Sequence, residues 1–187
     1  MSLLKRIKRK VNNHKMTIFA DAIFQSKLRH GIAVYSCPKF EFNHLEQQMD
    51  PNIAKLQVVQ NDMIRILNNK TRGDHTNMKK LREELKIMSV NQLSCYHVAI
   101  EMFNIINNAS SEHLQRKMKI EQRGYQLRSR EDGTVKVPER GKKSCTGFSY
   151  FGPKLWNHLP GHIRKTTIID IFKDKLKDFI WEEIPSV

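Results

Sequence analysis

The chain has 187 residues, enough to bury a core in one domain or two small ones, and carries a formal charge of +14. That charge, with a pI near 9.8, draws polyanions, so nucleic acid or an anionic membrane surface come first as partners. Three widely spaced cysteines (Cys37, Cys95 and Cys145) do not make a disulfide framework and favour a reducing, nuclear or cytoplasmic setting. The basic run Lys5-Arg6-Ile7-Lys8-Arg9-Lys10 follows Leu3-Leu4 directly and leaves no room for a signal-peptide core. No apolar run approaches the roughly 18–20 residues of a membrane span, so no membrane partner is expected.

Leu3, Leu4, Ile7 and Val11 recur at helical spacing among basic residues. A second periodic run, Met16, Phe19, Ala20, Ile23, Phe24 and Leu28, leads to Gly31. Ile32–Tyr35 follows, and the chain should leave helix at Cys37-Pro38. Residues 39–50 read as loop. Asp50 as cap and Pro51 in the first turn then open a helix whose stripe is Ile53, Leu56, Val59, Met63, Ile66 and Leu67.

Lys70–His75, with Gly73, is a break. Thr76 is the expected cap of a short helix through Met78, Leu81 and Leu85. Ser89 is the expected cap of a longer one carrying Leu93, Tyr96, Ile100, Phe103 and Ile106, and Ser110 or Ser111 starts another through Leu114. Arg123–Lys143 is polar, basic and glycine-containing. Its turn signal Glu131-Asp132-Gly133-Thr134 lets Tyr125–Arg128 and Val135–Val137 pair as a short hairpin. Thr167 is the expected cap of a final helix with Ile168, Ile171, Phe172, Leu176, Phe179 and Ile180 on one face. The expected fold class is mainly α. A helical, bundle-like N-terminal part precedes a smaller C-terminal part with a short β-hairpin and a terminal helix.

The charge is localised. Residues 1–15 hold six Lys or Arg and no acid, and residues 116–143 hold ten against four acids, whereas Lys173–Asp178 alternates in sign. Localisation favours a polyanion-binding role over a solvated face. The candidate RNA- or DNA-binding residues are Lys5, Arg6, Lys8, Arg9 and Lys10 in the first cluster. In the second they are Arg116, Lys117, Lys119, Arg123, Arg128, Arg130, Lys142 and Lys143. Their contacts would go to phosphates and carry little sequence information.

Chemistry is harder to find. Phe19-Ala20-Asp21-Ala22 is similar to the aromatic-Ala-Asp-Asp box of reverse transcriptases, but a two-metal site needs several carboxylates, and here the second is Ala22. Cys145, His158 and His162 have the spacing of half a zinc finger, yet the first cysteine is missing and Pro160 separates the histidines. No nucleophile–base set or phosphate loop is visible. No catalytic residue, metal or cofactor is therefore expected. The segment from Gly147 to Pro160 reads as an aromatic turn running into a short helix. Phe148, Tyr150, Trp156, Asn157 and Pro160 are its structural residues, and core packing is favoured over base stacking.

Phe148-Ser149-Tyr150-Phe151-Gly152, Leu155-Trp156-Asn157, Leu159-Pro160 and Ile163-Arg164, followed by Phe172-Lys173 and Leu176-Lys177, resemble the tail of LINE-type (non-LTR) retrotransposon reverse transcriptases, Jockey-like ones in particular. Phe24–Tyr35, with Ser26-Lys27-Leu28 and Gly31, resembles the family's helix after the polymerase palm, with His30 where Tyr is usual. Leu56-Gln57 with Gln60-Asn61 and Arg65 resembles its next helix, Lys86–Val90 a following element, and Arg128-Ser129 a later step. The resemblance spans residues 13–182.

It implies basic, thumb-like helices over 1–36, a helical region over 37–119, a basic linker or hairpin over 120–143, and a C-terminal aromatic turn and helix over 144–187. It also implies a non-catalytic C-terminal fragment of an RNA-directed DNA polymerase, contributing non-specific RNA or DNA binding to target-primed reverse transcription. The upstream polymerase portion of the element protein would be a partner. The endonuclease, fingers and palm would lie before Met1. The alternative is a helical protein–protein module, or a decayed fragment without independent function, which should expose apolar faces at Met16, Ile23 and Phe24.

Overall fold

The computed structural model describes residues 2–35, 51–117, 133–137 and 147–184. Within them the chain is mainly α-helical, and no helix is long and apolar enough to cross a membrane. The N-terminal region holds α1 (Ser2–Lys8), α2 (Asn13–Ala20), α3 (Ser26–Arg29) and α4 (Ile32–Tyr35). Asn12 caps α2 by accepting the Lys15 N–H at 3.0 Å. A π-turn over Asp21–Gln25 joins α2 to α3 without leaving helical backbone. Gly31 then reverses the chain with φ +70°, where any side chain would be strained.

Next come α5 (Pro51–Leu67), α6 (Met78–Glu84), α7 (Val90–Ile106) and α8 (Glu112–Lys117). Asn77, rather than Thr76, caps α6, because its carboxamide reaches both the Lys79 and Lys80 N–H groups. Ser89 caps α7 in a reciprocal box with Gln92. Helices α5, α6 and α7 end with Asn69, Lys86 and Asn108 in the left-handed region. In each, the following N–H reaches back to a last-turn carbonyl, as in Lys70 to Arg65 at 2.8 Å.

Helix α7 is the centre of the fold and is buried on nearly every side, not along one stripe. Beyond it lie α9 (Phe148–His158), α10 (Gly161–Arg164) and α11 (Ile169–Glu183). Their Phe151, Leu155, Trp156, Ile163, Phe172, Leu176 and Ile180 pack with Val98, Met102 and Phe103 of α7 in one cluster. Phe103 stacks on Phe172 at 4.5 Å, with Trp156 tilted against the same ring at 5.8 Å. A second cluster joins Leu4, Met16 and Ala20 to Met63, Ile64, Ile66, Leu67 and Leu81. It seats α1 and α2 on the C-terminal half of α5.

Several expectations are corrected. The expected aromatic turn is helical from Phe148 onward, since burial of Phe151, Gly152 and Pro153 overrides the poor propensity of Gly and Pro. No strand occurs among the described residues, and Tyr125–Arg128 lies outside them. The extended segment at Val135 takes its hydrogen bonds from a side chain instead. Asn157 Oδ1 accepts the Val135 N–H at 2.8 Å, and Asn157 Nδ2 donates to the Val135 carbonyl at 2.7 Å. Trp156 Nε1 donates to the Gly133 carbonyl at 2.8 Å. One carboxamide thus does the work of a partner strand.

Ile168, not Thr167, is the N-cap of α11, and both Ile168 and Ile171 are exposed. In α5, Val59 faces solvent while Gln57 and Gln60 are buried. The expected helix end at Cys37-Pro38 and the expected cap Asp50 fall outside the described residues.

Candidate functional site

Helix α1 is amphipathic. Leu4 enters the second core cluster, which turns Lys5, Lys8 and Arg9, spaced three and four apart, to one common side. Facing them is the end of α5 with the turn that follows: Asp62, Arg65 and Ile66, then Asn69, Lys70, Thr71 and Arg72. Between these walls runs an open cleft of about 740 Å³, lined by six basic side chains and one carboxylate.

Lys8 closes the base of the cleft. Its ammonium donates to the Ile66 carbonyl and, at 2.6 Å, to the Leu67 carbonyl, satisfying the free end of α5. Burial holds its pKa below the usual lysine value. Lys8 is thus a structural cap rather than a free cation, whereas Lys5 and Arg9 are exposed. Arg6 and Lys10 are exposed as well but do not line the cleft.

On the opposite wall Asp62 organises two arginines. Its Oδ1 accepts from Arg72 Nε at 2.9 Å and from Arg65 Nη1 at 3.2 Å, while its Oδ2 accepts from Arg72 Nη2. The Arg72 hydrogen bond, ahead of the Coulombic pull of the two arginines, holds the Asp62 carboxyl below its ordinary range. The turn presenting Arg72 is closed by a reciprocal box in which the Asp74 carboxylate accepts the Thr71 N–H and the Thr71 hydroxyl accepts the Asp74 N–H.

The structure brings Lys5, Lys8 and Arg9 together with Arg65, Lys70 and Arg72, which the sequence reading missed. A local excess of base over residues 65–72 was the available signal. Arg116 and Lys117 lie on α8, and their side chains, with Lys119, Arg123, Arg128, Arg130, Lys142 and Lys143, fall outside what is described. Among the structural residues Trp156 is buried. Phe148 and Tyr150 are half-buried, Tyr150 beneath the Lys154 ammonium at 5.8 Å. Pro160 is the N-cap of α10, its carbonyl accepting the Ile163 N–H at 2.9 Å.

The polymerase-like box is a surface feature. Asp21 stands at the start of the π-turn and pairs with Arg29 at 2.9 Å, both largely exposed. His158 ends α9 with its ring 6.1 Å from Phe179, and His162 sits on α10, while Cys145 lies outside the described residues. Among the described residues no three His, Cys, Asp or Glu side chains gather as a metal-ligand set. Met16 is buried and Phe24 half-buried, while Ile23, with Ile18, is exposed. No protein family, curated protein or solved structure matches the chain.

Proposed function

We propose that the chain binds RNA or DNA by its phosphates in the α1–α5 cleft, with little sequence preference. The observation that carries this reading is the convergence of six basic side chains against one carboxylate in an open cleft. Among the described residues the cleft walls hold no aromatic ring on which a base could stack, which favours electrostatic, backbone-directed contacts.

We further propose that the chain is the non-catalytic, post-palm region of a LINE-type reverse transcriptase, contributing this grip during target-primed reverse transcription beside the upstream polymerase portion. In support of that reading, Gln57, Gln60, Asn61, Met88 and Val90, which carry the resemblance, share a partly buried hydrogen-bond network with Arg82. Gln57 Nε2 donates to Gln60 Oε1 and to Asn61 Oδ1, both at 2.9 Å, and Gln57 Oε1 accepts the Val90 N–H at 2.8 Å. Gln60 Nε2 donates to the Met88 carbonyl and Arg82 Nη1 to Asn61 Oδ1, again at 2.9 Å. These are roles that fix polar residue types for packing reasons.

The test is fluorescence anisotropy with labelled RNA and duplex DNA over a salt series. Wild-type affinity should fall steeply with salt, and the triple variant Lys5→Gln, Arg9→Gln, Lys70→Gln should bind weakly with a flattened slope. Lys175→Gln, on the alternating face of α11, should bind like wild type. Equal binding by the triple variant would remove the cleft from the account.

A further inference from the structure

The cleft contains one feature that works against its charge. Asp62 lies inside the basic wall and engages both nitrogen edges of the Arg72 fork. That two-bond geometry is the one a phosphate uses on a guanidinium. We propose that Asp62 is an internal competitor for phosphate: it occupies Arg72 in the free protein and yields that fork to a nucleic-acid phosphate entering the cleft. This rests on the cleft being the binding site.

Three observations favour exchange over a permanent pair. The Arg72 side chain is 69% exposed and Asp62 only 19%, so the arginine is the mobile partner and sits on the solvent side of the pair. The guanidinium end of the pair is open to solvent, where salt and competing anions reach it. Asp62 also has a second arginine, Arg65, itself only 21% exposed. Releasing Arg72 therefore leaves the carboxylate paired rather than stranded, which removes the main obstacle to breaking an ion pair.

The exchange makes one wall of the site conditional. A weak or distant anion leaves Arg72 with Asp62, and Lys5, Arg9 and Lys70 supply the attraction. A phosphate close enough to offer two acceptors gains the fork. The arrangement selects against anions that offer a single acceptor or stay distant, and for a backbone that seats a phosphate at the end of α5.

The test uses the full chain, a labelled 20-nucleotide RNA and a duplex DNA of equal length, and compares wild type with Asp62→Asn, Arg72→Gln, the double variant and Lys5→Gln. Asp62→Asn should bind on the order of fivefold tighter near physiological salt, with a nearly unchanged salt slope, because Arg72 meets a phosphate in both complexes. Arg72→Gln should cost more affinity in the Asp62→Asn background than in wild type, whereas the cost of Lys5→Gln should be the same in both. In wild-type protein, which needs no variant to fold, the Arg72 Nε–H resonance should move as RNA is added. Weaker or equal binding by Asp62→Asn, a slope steeper by about one unit, or an unmoved Arg72 resonance with RNA bound would overturn the competitor role while the Lys5→Gln loss kept the cleft. Absence of binding by both wild type and Asp62→Asn would instead overturn the cleft reading, and this inference with it.

Discussion

The two ends of the molecule use their side chains in opposite ways. Around α7, α9 and α11 the aromatic residues point inward. Trp156, Phe172 and Phe103 stack in a closed core, and the polar edges of Trp156 and Asn157 bind backbone at Gly133 and Val135. Around α1 and the end of α5 the cleft cations point outward, and an apolar seam from Leu4 to Leu67, with the Lys8 ammonium on the Ile66 and Leu67 carbonyls, holds the two walls in place. The first region has stability to lose and no visible chemistry. The second has charge to lose and little packing. Substitutions should separate stability from binding along this line.

The largest effect should come from Trp156→Ala, which removes a fully buried ring and its hydrogen bond. Thermal or denaturant unfolding should show a loss of about 3–5 kcal/mol. Nucleic-acid affinity per folded molecule should be kept. Asn157→Ala comes next, stranding both backbone groups of Val135 at a cost of about 1–3 kcal/mol. Hydrogen exchange should show the Val135 amide released well before the α7 amides.

Lys8→Met crosses the boundary between the regions. It deletes the cation that caps α5, so it should lower stability by about 1 kcal/mol while Lys5→Gln leaves stability nearly unchanged. Equal unfolding midpoints for the two variants would contradict the capping role of Lys8.

The smallest effect is a pH dependence. Burial first, and then the nearby Arg29 charge, lower the His97 pKa below its ordinary value of about 6.5. The unfolded chain therefore binds that proton more tightly than the folded one. Stability should decline as pH falls below about 6.5 and level off once pH passes the folded value, with a slope of at most about 1.4 kcal/mol per pH unit for one proton. His158, lowered mainly by burial, adds in the same direction. His97→Gln should flatten the decline, and an unchanged profile would contradict the assignment.

Most helices were legible because their apolar spacing is regular, and Ser89 was legible as a cap because a serine stands just before the periodic run. Helix α7 was harder. A helix buried on nearly all sides shows no clean stripe, so Leu93, Tyr96 and Phe103 described only part of its packing. Gln57 and Gln60 stood out as a motif, but their burial depends on partners at Met88 and Val90 that no local pattern reveals. The hairpin failed for the same reason, since the hydrogen-bond partner of Val135 is a carboxamide on a later helix. In the cleft, Lys5–Lys10 was visible as a charge run. Its division into a cap, two cleft cations and two outward ones required the far wall, whose Ile66 and Leu67 carbonyls lie 58 and 59 residues from Lys8.

That division is the central claim, and two variants of equal charge test it most directly. Lys5→Gln with Arg9→Gln empties the cleft of two cations, whereas Arg6→Gln with Lys10→Gln removes two from outside it. Salt-dependent binding to duplex DNA should weaken strongly for the first pair, with the slope reduced by about 1.8 units, and change little for the second. Equal losses for the two pairs would mean that net charge, and not the α1–α5 cleft, governs binding.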